Sequence, residues 1–583
     1  MHISTTNNDG MIRASFISDP AMRPAVYRRA SLRTLRGIAC AAAFGQAGSA
    51  LAQNTTDTSS IPSPHAETIK ARAAARPEVQ NLPHAGVVGQ PRRIAPSQNK
   101  APSGRQGPWG EFDRGTGESA GFGPVGRYGV APWAEDWSYL ADPSPKLRDD
   151  PFDPLKFIAL NSSRTIWLSL SGETRLRNWY EEEPNLGSKG HPGSGRFGVR
   201  NLYGADLHLG SHVRVFGQLI NADAAGWNAY GYNDTYRKRL DLQQAFVEFR
   251  ENLLGAKTGF MFGRQQFLDA PSYILYNRET PNVPLAWNGF RTYAIWPRIR
   301  IDAYDFVGTN IAPSQMFHDT EDWTTRLYGF DATMVVPTLR VLGGDLHSYL
   351  DLFYIGFKLG GSTAAIVAGN GTASGNTTRD DYGFRWYGSA KDLEFSVGGL
   401  YQGGTFNAAK TSVARTVAAY AFNATVGYRH PESFLHPFIG VQADLYSGGD
   451  TRNRTGDVGT YIAPFNPQTN YLDTTTYIAP SNLISLSPIV RVTPVGFASL
   501  QFKCPFFWRD STNDSIYSSS SAYSYPRFSG GYVGVVPQAS LTLQLNRHLS
   551  WTQYGARFIT SNSLHAAGAR SGSYYQSNFV FRF

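Results

Sequence analysis

Apolar and polar residues alternate along much of the chain from Thr165 to the C-terminus. Successive side chains of an extended chain point to opposite faces, so a period of two indicates β-strands with one apolar and one largely polar face. In residues 573–583, three aromatic residues share one face and a mostly polar set shares the other: Phe579, Phe581 and Phe583 against Asn578, Val580 and Arg582. Such a strand is typical of a barrel wall with lipid on one side, and equally of a soluble sandwich.

The spacing of the strands separates these two alternatives. About 18 strand segments begin near residues 165, 197, 212, 238, 257, 287, 299, 323, 348, 379, 392, 412, 435, 482, 496, 532, 548 and 573. Connections after even-numbered segments are mostly short, such as Gly210-Ser211. Connections after odd-numbered segments are mostly long, such as Gln266 to Ala286 and Gly448 to Ser481. Short turns at one rim and long loops at the other are typical of an outer-membrane barrel, whose short side is periplasmic.

The predicted fold class is therefore all-β: a single-chain transmembrane antiparallel β-barrel of about 18 strands in residues 165–583, with a disordered N-terminal periplasmic extension. An even strand number returns both ends of the barrel to the periplasmic rim. A soluble sandwich seldom needs so many strands, because open sheets rarely exceed about ten. A β-propeller would have a repeat of about 40 to 50 residues, and the sequence has none.

The first 164 residues are predicted to form three segments. Residues 1–52 resemble an export signal that ends in the small-residue pattern Ala50-Leu51-Ala52, with Met22 as an alternative start. Residues 53–130 are rich in Pro, Ala and Ser and predict a disordered periplasmic linker. Residues 131–164 are predicted to be either a simple lead-in to the first strand or a plug that docks against or inside the barrel mouth.

Composition agrees with strands and turns. Aromatic residues make up 13% of the chain, and the charged fraction of 17% is below the roughly 25% of soluble domains. Cys40 lies in the predicted signal, so Cys504 would be the single thiol of the mature chain. The sequence has no Cys/His cluster that suggests a metal, and no cofactor is predicted. The formal charge of +9 is not concentrated in the dense basic cluster that marks nucleic-acid binding.

Alternation applied strand by strand places basic residues on the polar face, towards the lumen. The predicted pore-lining or substrate-binding set is Arg175, Arg177, Arg200, Arg214, Arg264, Arg291, Arg300, Arg385, Arg491, Lys503, Arg557, Glu173, Asp302 and Glu394. Arg264 is ambiguous, because it shares the parity of Phe260 and Phe262 unless a bulge intervenes. A barrel of this size holds a water channel, so the arginines would be solvated and would attract anions, carboxylates in particular. The alternative is that lumenal Arg and Asp or Glu pair to stiffen the wall.

Several separated blocks resemble the alginate-export family of outer-membrane porins. They are Ala134 to Pro143, Leu170 to Tyr180, Arg239 to Phe249, Gly263 to Phe267, Glu279 to Arg291, Val426 to Asp450 and the closing Val-Phe-Arg-Phe. The resemblance implies an 18-stranded monomeric barrel whose arginine-lined lumen passes an acidic polysaccharide. It also implies that Arg175, Arg177, Arg264 and Arg291 line the pore. The chain departs from the family pattern in its long segment before Trp133.

The predicted function is an outer-membrane channel that passes an anionic saccharide, an alginate-like polyuronate or a sugar acid, by electrodiffusion. A general small-anion or nutrient porin is the main alternative, and a barrel-embedded hydrolase and an adhesin are further ones. His318 with Asp319, and His347 with Asp345, supply residue types for acid-base chemistry. Because no GxSxG or HExxH pattern accompanies them, we predict that the protein is not an enzyme.

The expected location is the outer membrane of a Gram-negative bacterium, with the N-terminal extension in the periplasm. Expected partners are outer-membrane lipid, an anionic oligo- or polysaccharide, the barrel-assembly machinery through Phe583 and, as an option, a periplasmic export partner. We expect no nucleic-acid partner and a monomeric barrel.

Overall fold

The structure is a computed structural model that describes residues 128–583, except for 145–147, 191–192, 229–233, 269, 272, 279, 297, 361–374, 391, 409–413, 431, 454, 466–470 and 519–521. The predicted export signal, 1–52, lies outside the described residues. So does the predicted linker, 53–130, apart from its last three residues.

Strands dominate the described residues, and none of the helices there is long and apolar enough to span a membrane. The elements are 3-10 helices at Pro132–Ala134 and Ser138–Ala141, helices α1 at Asp153–Lys156 and α2 at Asn562–Ala566, and strands β1 at Ile158–Ala159, β2 at Ile166–Glu182, β3 at Gly193–Leu209, β4 at Val213–Trp227, β5 at Lys238–Leu253, β6 at Ala256–Gln265, β7 at Trp287–Ile295, β8 at Ile299–Asn310, β9 at Thr320–Val341, β10 at Gly344–Leu359, β11 at Gly375–Ala390, β12 at Leu393–Ala408, β13 at Ala414–Arg429, β14 at Phe438–Tyr446, β15 at Leu483–Val495, β16 at Ala498–Lys503, β17 at Phe506–Trp508, β18 at Tyr532–Val535, β19 at Gln538–Gln544, β20 at Leu549–Thr560 and β21 at Gly572–Arg582.

These strands close into one antiparallel barrel. Strand β21 returns to pair with β2, from Arg582 opposite Glu173 to Tyr574 opposite Glu181. β16 and β17 are two halves of one strand, β18 and β19 are two halves of the next, and β1 only pairs with the start of β2. The barrel therefore has 18 strands, which confirms the predicted fold class. Each predicted strand start lies within four residues of an observed one.

Tight turns join strands at one rim of the barrel. Leu254-Gly255 connects β5 to β6 and Leu342-Gly343 connects β9 to β10, with φ between 50° and 78° at all four residues. Positive φ at both central positions matches the type I′ turn, which fits the twist of paired strands and which glycine adopts at low cost. Longer segments, including 266–286 and 447–482, join strands at the opposite rim. The predicted asymmetry between the two rims is thus present.

The interior is a packed core, whereas the strand number predicted a water-filled lumen. The segment 266–286 folds inward, and its Ile274 is fully buried. The segment 447–482 also folds inward, and its Tyr471 ring lies 6.2 Å from the Tyr273 ring between centroids. These segments carry apolar side chains that remove the inward-facing wall residues from water. The expectation that the lumenal arginines are solvated is therefore wrong for most of them.

We expect Phe583→Ala to impair barrel assembly, because Phe583 joins the last strand to the first. Its backbone exchanges hydrogen bonds of 3.0 and 3.1 Å with Gly172, and its ring stacks on Phe152 at 5.2 Å between centroids. The measurement is the folded fraction seen as heat-modifiable migration in gel electrophoresis, with a severalfold decrease expected. Phe330→Ala is the control, because it removes an outward ring that is 43% exposed on β9. Equal folded fractions in the two variants would contradict this role.

Candidate functional site

Three arginines on the inward face of β2 and β3 form what we call the arginine cluster: Arg175, Arg177 and Arg200. Alternation along β2 turns its odd-numbered residues inward, and Arg175 lies directly opposite Arg200 in the β2–β3 register. Each of the three is at most 4% exposed. Buried guanidinium groups need hydrogen-bond acceptors, because burying an unpaired charge is costly.

All three arginines donate to oxygen atoms of residues 280–282, in the inward segment between β6 and β7, while Arg177 also donates to Asn578 Oδ1 at 2.7 Å and Arg200 also pairs with Glu173. Arg175 donates to the Asn282 carbonyl at 3.1 Å and to its side-chain oxygen at 2.8 Å. Arg177 donates to the Pro281 carbonyl at 2.8 Å. Arg200 donates to the Asn282 carbonyl at 3.3 Å. These neutral acceptors occupy positions where a carboxylate would accept more strongly.

Asn282 is the residue that holds this segment against the wall. Its Nδ2 donates to three backbone carbonyls, of Val199 at 2.9 Å, Asp223 at 3.2 Å and Tyr236 at 3.2 Å. The residue is 1% exposed. Asn282 thus connects β3, β4 and Tyr236, two residues before β5, to the arginine cluster.

Glu173 provides a carboxylate beside the cluster and joins the two ends of the barrel. It accepts from Arg200 Nε at 2.8 Å and from Arg582 Nε at 2.9 Å. Arg582 lies on β21, so this ion pair crosses the closing seam. Arg582 points inward and Phe583 points outward, as was predicted for the last strand.

Most other predicted pore-lining arginines pair with carboxylates on neighbouring strands. Arg291 donates to both oxygens of Asp302, at 2.9 and 2.7 Å, and Arg300 contacts the same carboxylate. Arg214 pairs with Glu248 at 2.6 Å, and Arg385 pairs with Asp351. The predicted Glu394 pairs with Arg429, which was not predicted, at 2.7 Å. For these residues the geometry matches the alternative in which opposite charges stiffen the wall.

The second inward segment, 447–482, is held by a similar set of cations. Lys503 Nζ donates to the Tyr471 carbonyl at 2.6 Å and to Gln442 Oε1 at 3.0 Å. Arg379 donates to the Thr460 carbonyl at 2.8 Å. Arg491 lies over the Phe438 ring, with its guanidinium carbon 4.7 Å from the centroid. Lys503 and Arg379 therefore bind loop backbone inside the barrel, whereas Arg491 packs on a ring of the wall strand β14.

Arg557 does not face the lumen, and that prediction was wrong. It is exposed on β20, while its neighbours Ala556 and Phe558 are buried. The Phe558 ring faces inward, where it lies 6.1 Å from the Phe507 ring between centroids. The prediction assumed that the apolar residues of this strand face lipid, but they pack into the apolar interior instead.

Arg264 also lies on the outer face of the wall, so its predicted position in the pore lining, the one ambiguous assignment, was wrong. The ladders of β6 with β5 and β7 are regular, so Arg264 keeps the parity of the exposed Phe260 and Phe262. Its side chain is largely covered, and it donates from Nε to Asn288 Oδ1 at 2.9 Å and from Nη2 to the Asp319 carbonyl, in the loop between β8 and β9, at 3.4 Å. Arg264 therefore binds an outer loop and not the lumen.

Residues 131–137 pack inside the barrel, in the half nearest the tight turns. The Trp133 ring lies 6.1 Å from the inward Phe216 ring between centroids, and Arg214 donates to the Trp133 carbonyl. Glu135 lies 4.0 Å from Lys156, and both side chains are buried. Burial raises the pKa of the Glu135 carboxyl and lowers the pKa of the Lys156 ammonium, and the attraction between the two partly offsets each shift.

The sequence did not reveal that segment 266–286 crosses the barrel interior. Asn282 contacts β3 on one side, while the Tyr273 hydroxyl lies so close to Gly398 of β12 that a Cβ there would be 2.1 Å away. The one available signal was the apolar run 273–276 inside a predicted loop. Arg379 was also missed, although it has the parity of Arg385 on the same strand. Within the described ranges, no group of three His, Cys, Asp or Glu residues could hold a metal ion.

Comparisons with known proteins identify one family. The family described as Alginate export matches residues 166–578. No curated protein sequence matches the chain.

Similar solved structures include Pseudomonas aeruginosa OccK9 (OpdG), with 11% identity and a TM-score of 0.48 over 71% of this chain and 98% of that one. Pseudomonas aeruginosa OpdO has 10% identity and a TM-score of 0.45 over 71% of this chain and 97% of that one. A BenF-like porin from Pseudomonas fluorescens Pf-5 has 9% identity and a TM-score of 0.44 over 71% of this chain and 99% of that one. At such identities and TM-scores these likenesses carry no argument about function.

The family match covers well over half of the chain and coincides with the closed barrel. The protein is therefore a member of the alginate export family, an outer-membrane β-barrel.

Proposed function

We propose that the barrel is a channel for an anionic saccharide, an alginate-like polyuronate or a sugar acid, which passes by electrodiffusion and binds lumenal arginines on its way. The observation that carries this proposal is the arginine cluster, in which three buried guanidinium groups bind oxygen atoms of an inward-folded segment. Membership of the alginate export family supports the class of cargo.

Carboxylates suit the cluster better than the acceptors that now occupy it. A carboxylate accepts two N–H bonds from one planar guanidinium, and such charge-assisted bonds are stronger than bonds to a neutral carbonyl. Arg175 and Arg177 are two residues apart on one face of β2, or about 7 Å along the strand. They can therefore bind neighbouring acidic groups of one saccharide.

Cargo reaches the cluster when residues 280–282 leave it. A hydrogen bond between neutral groups that holds the segment contributes only about 1 kcal/mol net, and one from a guanidinium about 1.5 to 3 kcal/mol, because water replaces a lost protein partner. Besides the bonds from the arginines, three bonds from Asn282 Nδ2 attach this part of the segment to the barrel. When these residues leave, the guanidinium groups lose hydrogen bonds to neutral carbonyls and gain stronger ones to the carboxylate of the cargo.

The setting in the cell follows from the same proposal. An even strand number leaves both ends of the barrel at the short-turn rim, so the N-terminal extension would lie in the periplasm. There it could meet a periplasmic export partner, while Phe583 at the seam would be read by the barrel-assembly machinery. The channel would act as a monomer, with one pathway in each barrel.

Removal of both charges on β2 is expected to weaken anion preference. In planar-bilayer recording, Arg175→Ala combined with Arg177→Ala should lower the anion-to-cation permeability ratio severalfold and weaken current block by a polyuronate. The reason is that two of the three guanidinium groups in the cluster are lost.

Arg557→Ala is the matched control, because it removes the same group from the outer face of β20. If the double variant kept its anion preference and its polyuronate block, the proposed role of the cluster would be wrong. Free passage of small anions without any polyuronate block would instead support a general small-anion porin.

Two barriers in series should limit conductance, namely residues 131–137 and the segment 266–286. We expect a chain that lacks residues 1–142 and carries Asn282→Ala to conduct severalfold more than the full chain, and each single change to give a smaller increase. The physical reason is that the two barriers act in series, so the barrier that remains still limits the current when only one is removed. Single-channel conductance is the measurement.

Asn201→Ala in the shortened chain is the control, since Asn201 is an outward asparagine of β3 that bonds to Thr174 at 3.0 Å. Conductance of the combined variant no higher than that of the full chain would show that these two segments do not close the pathway.

A further inference from the structure

A groove of about 520 Å³ crosses the outer face of the wall where two adjacent strands are interrupted. Cys504 and Pro505 separate β16 from β17, and Val536 and Pro537 separate β18 from β19. Proline has no N–H group, so the backbone ladder loses hydrogen bonds at these positions. The register nevertheless continues past both interruptions, and the barrel stays closed.

The outward residues at the interruptions form one row across neighbouring strands. The Cys504 N–H donates to the Pro488 carbonyl of β15 at 3.1 Å, and the Arg557 N–H of β20 donates to the Pro537 carbonyl at 3.1 Å. Pro488, Pro537 and Arg557 are exposed on the outer face. The row therefore runs from an apolar end at β15 to a cationic end at β20.

Small side chains make the floor of the groove. A Cβ added to Gly555 would meet nothing within 4 Å, and Ala539 lies beside it on β19. On the periplasmic side of the row, the groove is bordered by the side chains of Val490 and Phe502, which are 38% and 49% exposed. The groove is therefore apolar and opens towards lipid.

Arg557 lies at the extracellular end of the groove. It is three residues before Thr560, where β20 ends, or about 10 Å along the strand. Its Nη1 donates to Ser573 Oγ at 3.1 Å, and no described carboxylate lies within ion-pair distance of its guanidinium. Arg326, another outward arginine, instead donates to Asp305 at 2.8 Å.

We propose that this groove binds a phosphorylated glycolipid of the outer leaflet, with a phosphate at Arg557 and an acyl chain along the apolar floor. An arginine on the lipid-facing wall is unfavourable unless an anion neutralises it, and a guanidinium matches the geometry of a phosphate. The cation lies towards the extracellular rim and the floor towards the bilayer centre. That order is the order of headgroup and acyl chain in the outer leaflet and the reverse of that in the inner leaflet.

Native mass spectrometry of the full-length barrel in detergent tests the site. The probe is a bis-phosphorylated, acylated glucosamine disaccharide. We expect Arg557→Ala to lower its affinity about tenfold, as loss of a charge-assisted pair predicts. Gly555→Leu keeps the charge but fills the floor, and it should lower the affinity as well. Arg326→Ala is the control and should bind as the unchanged chain does.

Three results would overturn the proposal. The first is an affinity for the probe that is the same in both the Arg557 and Gly555 variants as in the unchanged chain. The second is an equal affinity of the unchanged chain for the probe and for its dephosphorylated form. The third is an equal affinity for the probe and for phosphatidylglycerol, which would remove the assignment to a glycolipid. Heat-modifiable migration reports whether each variant is folded. Because Arg557 and Gly555 face away from the lumen, ion selectivity should not change in either variant, so the lipid site and the proposed channel function are tested separately.

Discussion

The pairing of β2 with β21 is the constraint on which the rest of the structure depends. A sheet in lipid can leave no edge unpaired, because no water is present to satisfy its N–H and carbonyl groups. Glu173 reinforces this seam with an ion pair to Arg582, and its other oxygen accepts from Arg200. Closure fixes the register of both strands, and that register turns the arginine cluster inward and Phe583 outward.

A filled interior changes what the inward charges do. In a water channel an arginine needs no protein partner, whereas a buried one must find an acceptor. The wall arginines meet this need in two ways: some pair with carboxylates on adjacent strands, as Arg291 does with Asp302, and others bind carbonyls of an inward segment, as Arg175 does with Asn282. The second kind of contact can be exchanged for an anionic cargo without breaking an ion pair in the wall, which is why the proposed function rests on it.

The wall is also specialised on its outer side. Prolines interrupt the ladder near Cys504 and Pro537 without changing the strand register, so the barrel tolerates a local loss of backbone hydrogen bonds. The interruption leaves small outward side chains beside Arg557. The same strands thus hold an inward segment through Lys503 on one face and present a lipid-facing groove on the other.

The sequence alone determined the strands, their number and most of their faces. Alternation is set by local backbone geometry, so β2 and β21 could be divided into inward and outward residues without knowledge of the fold. Tertiary structure decided what the inward residues touch. Asn282 bonds to Val199, 83 residues away, and no local pattern encodes that contact. For the same reason the sequence placed Arg557 inward and Phe558 outward, the reverse of the observed arrangement. An apolar residue can face either lipid or a filled interior, and only the folding of the long segments into the barrel decides which face it takes.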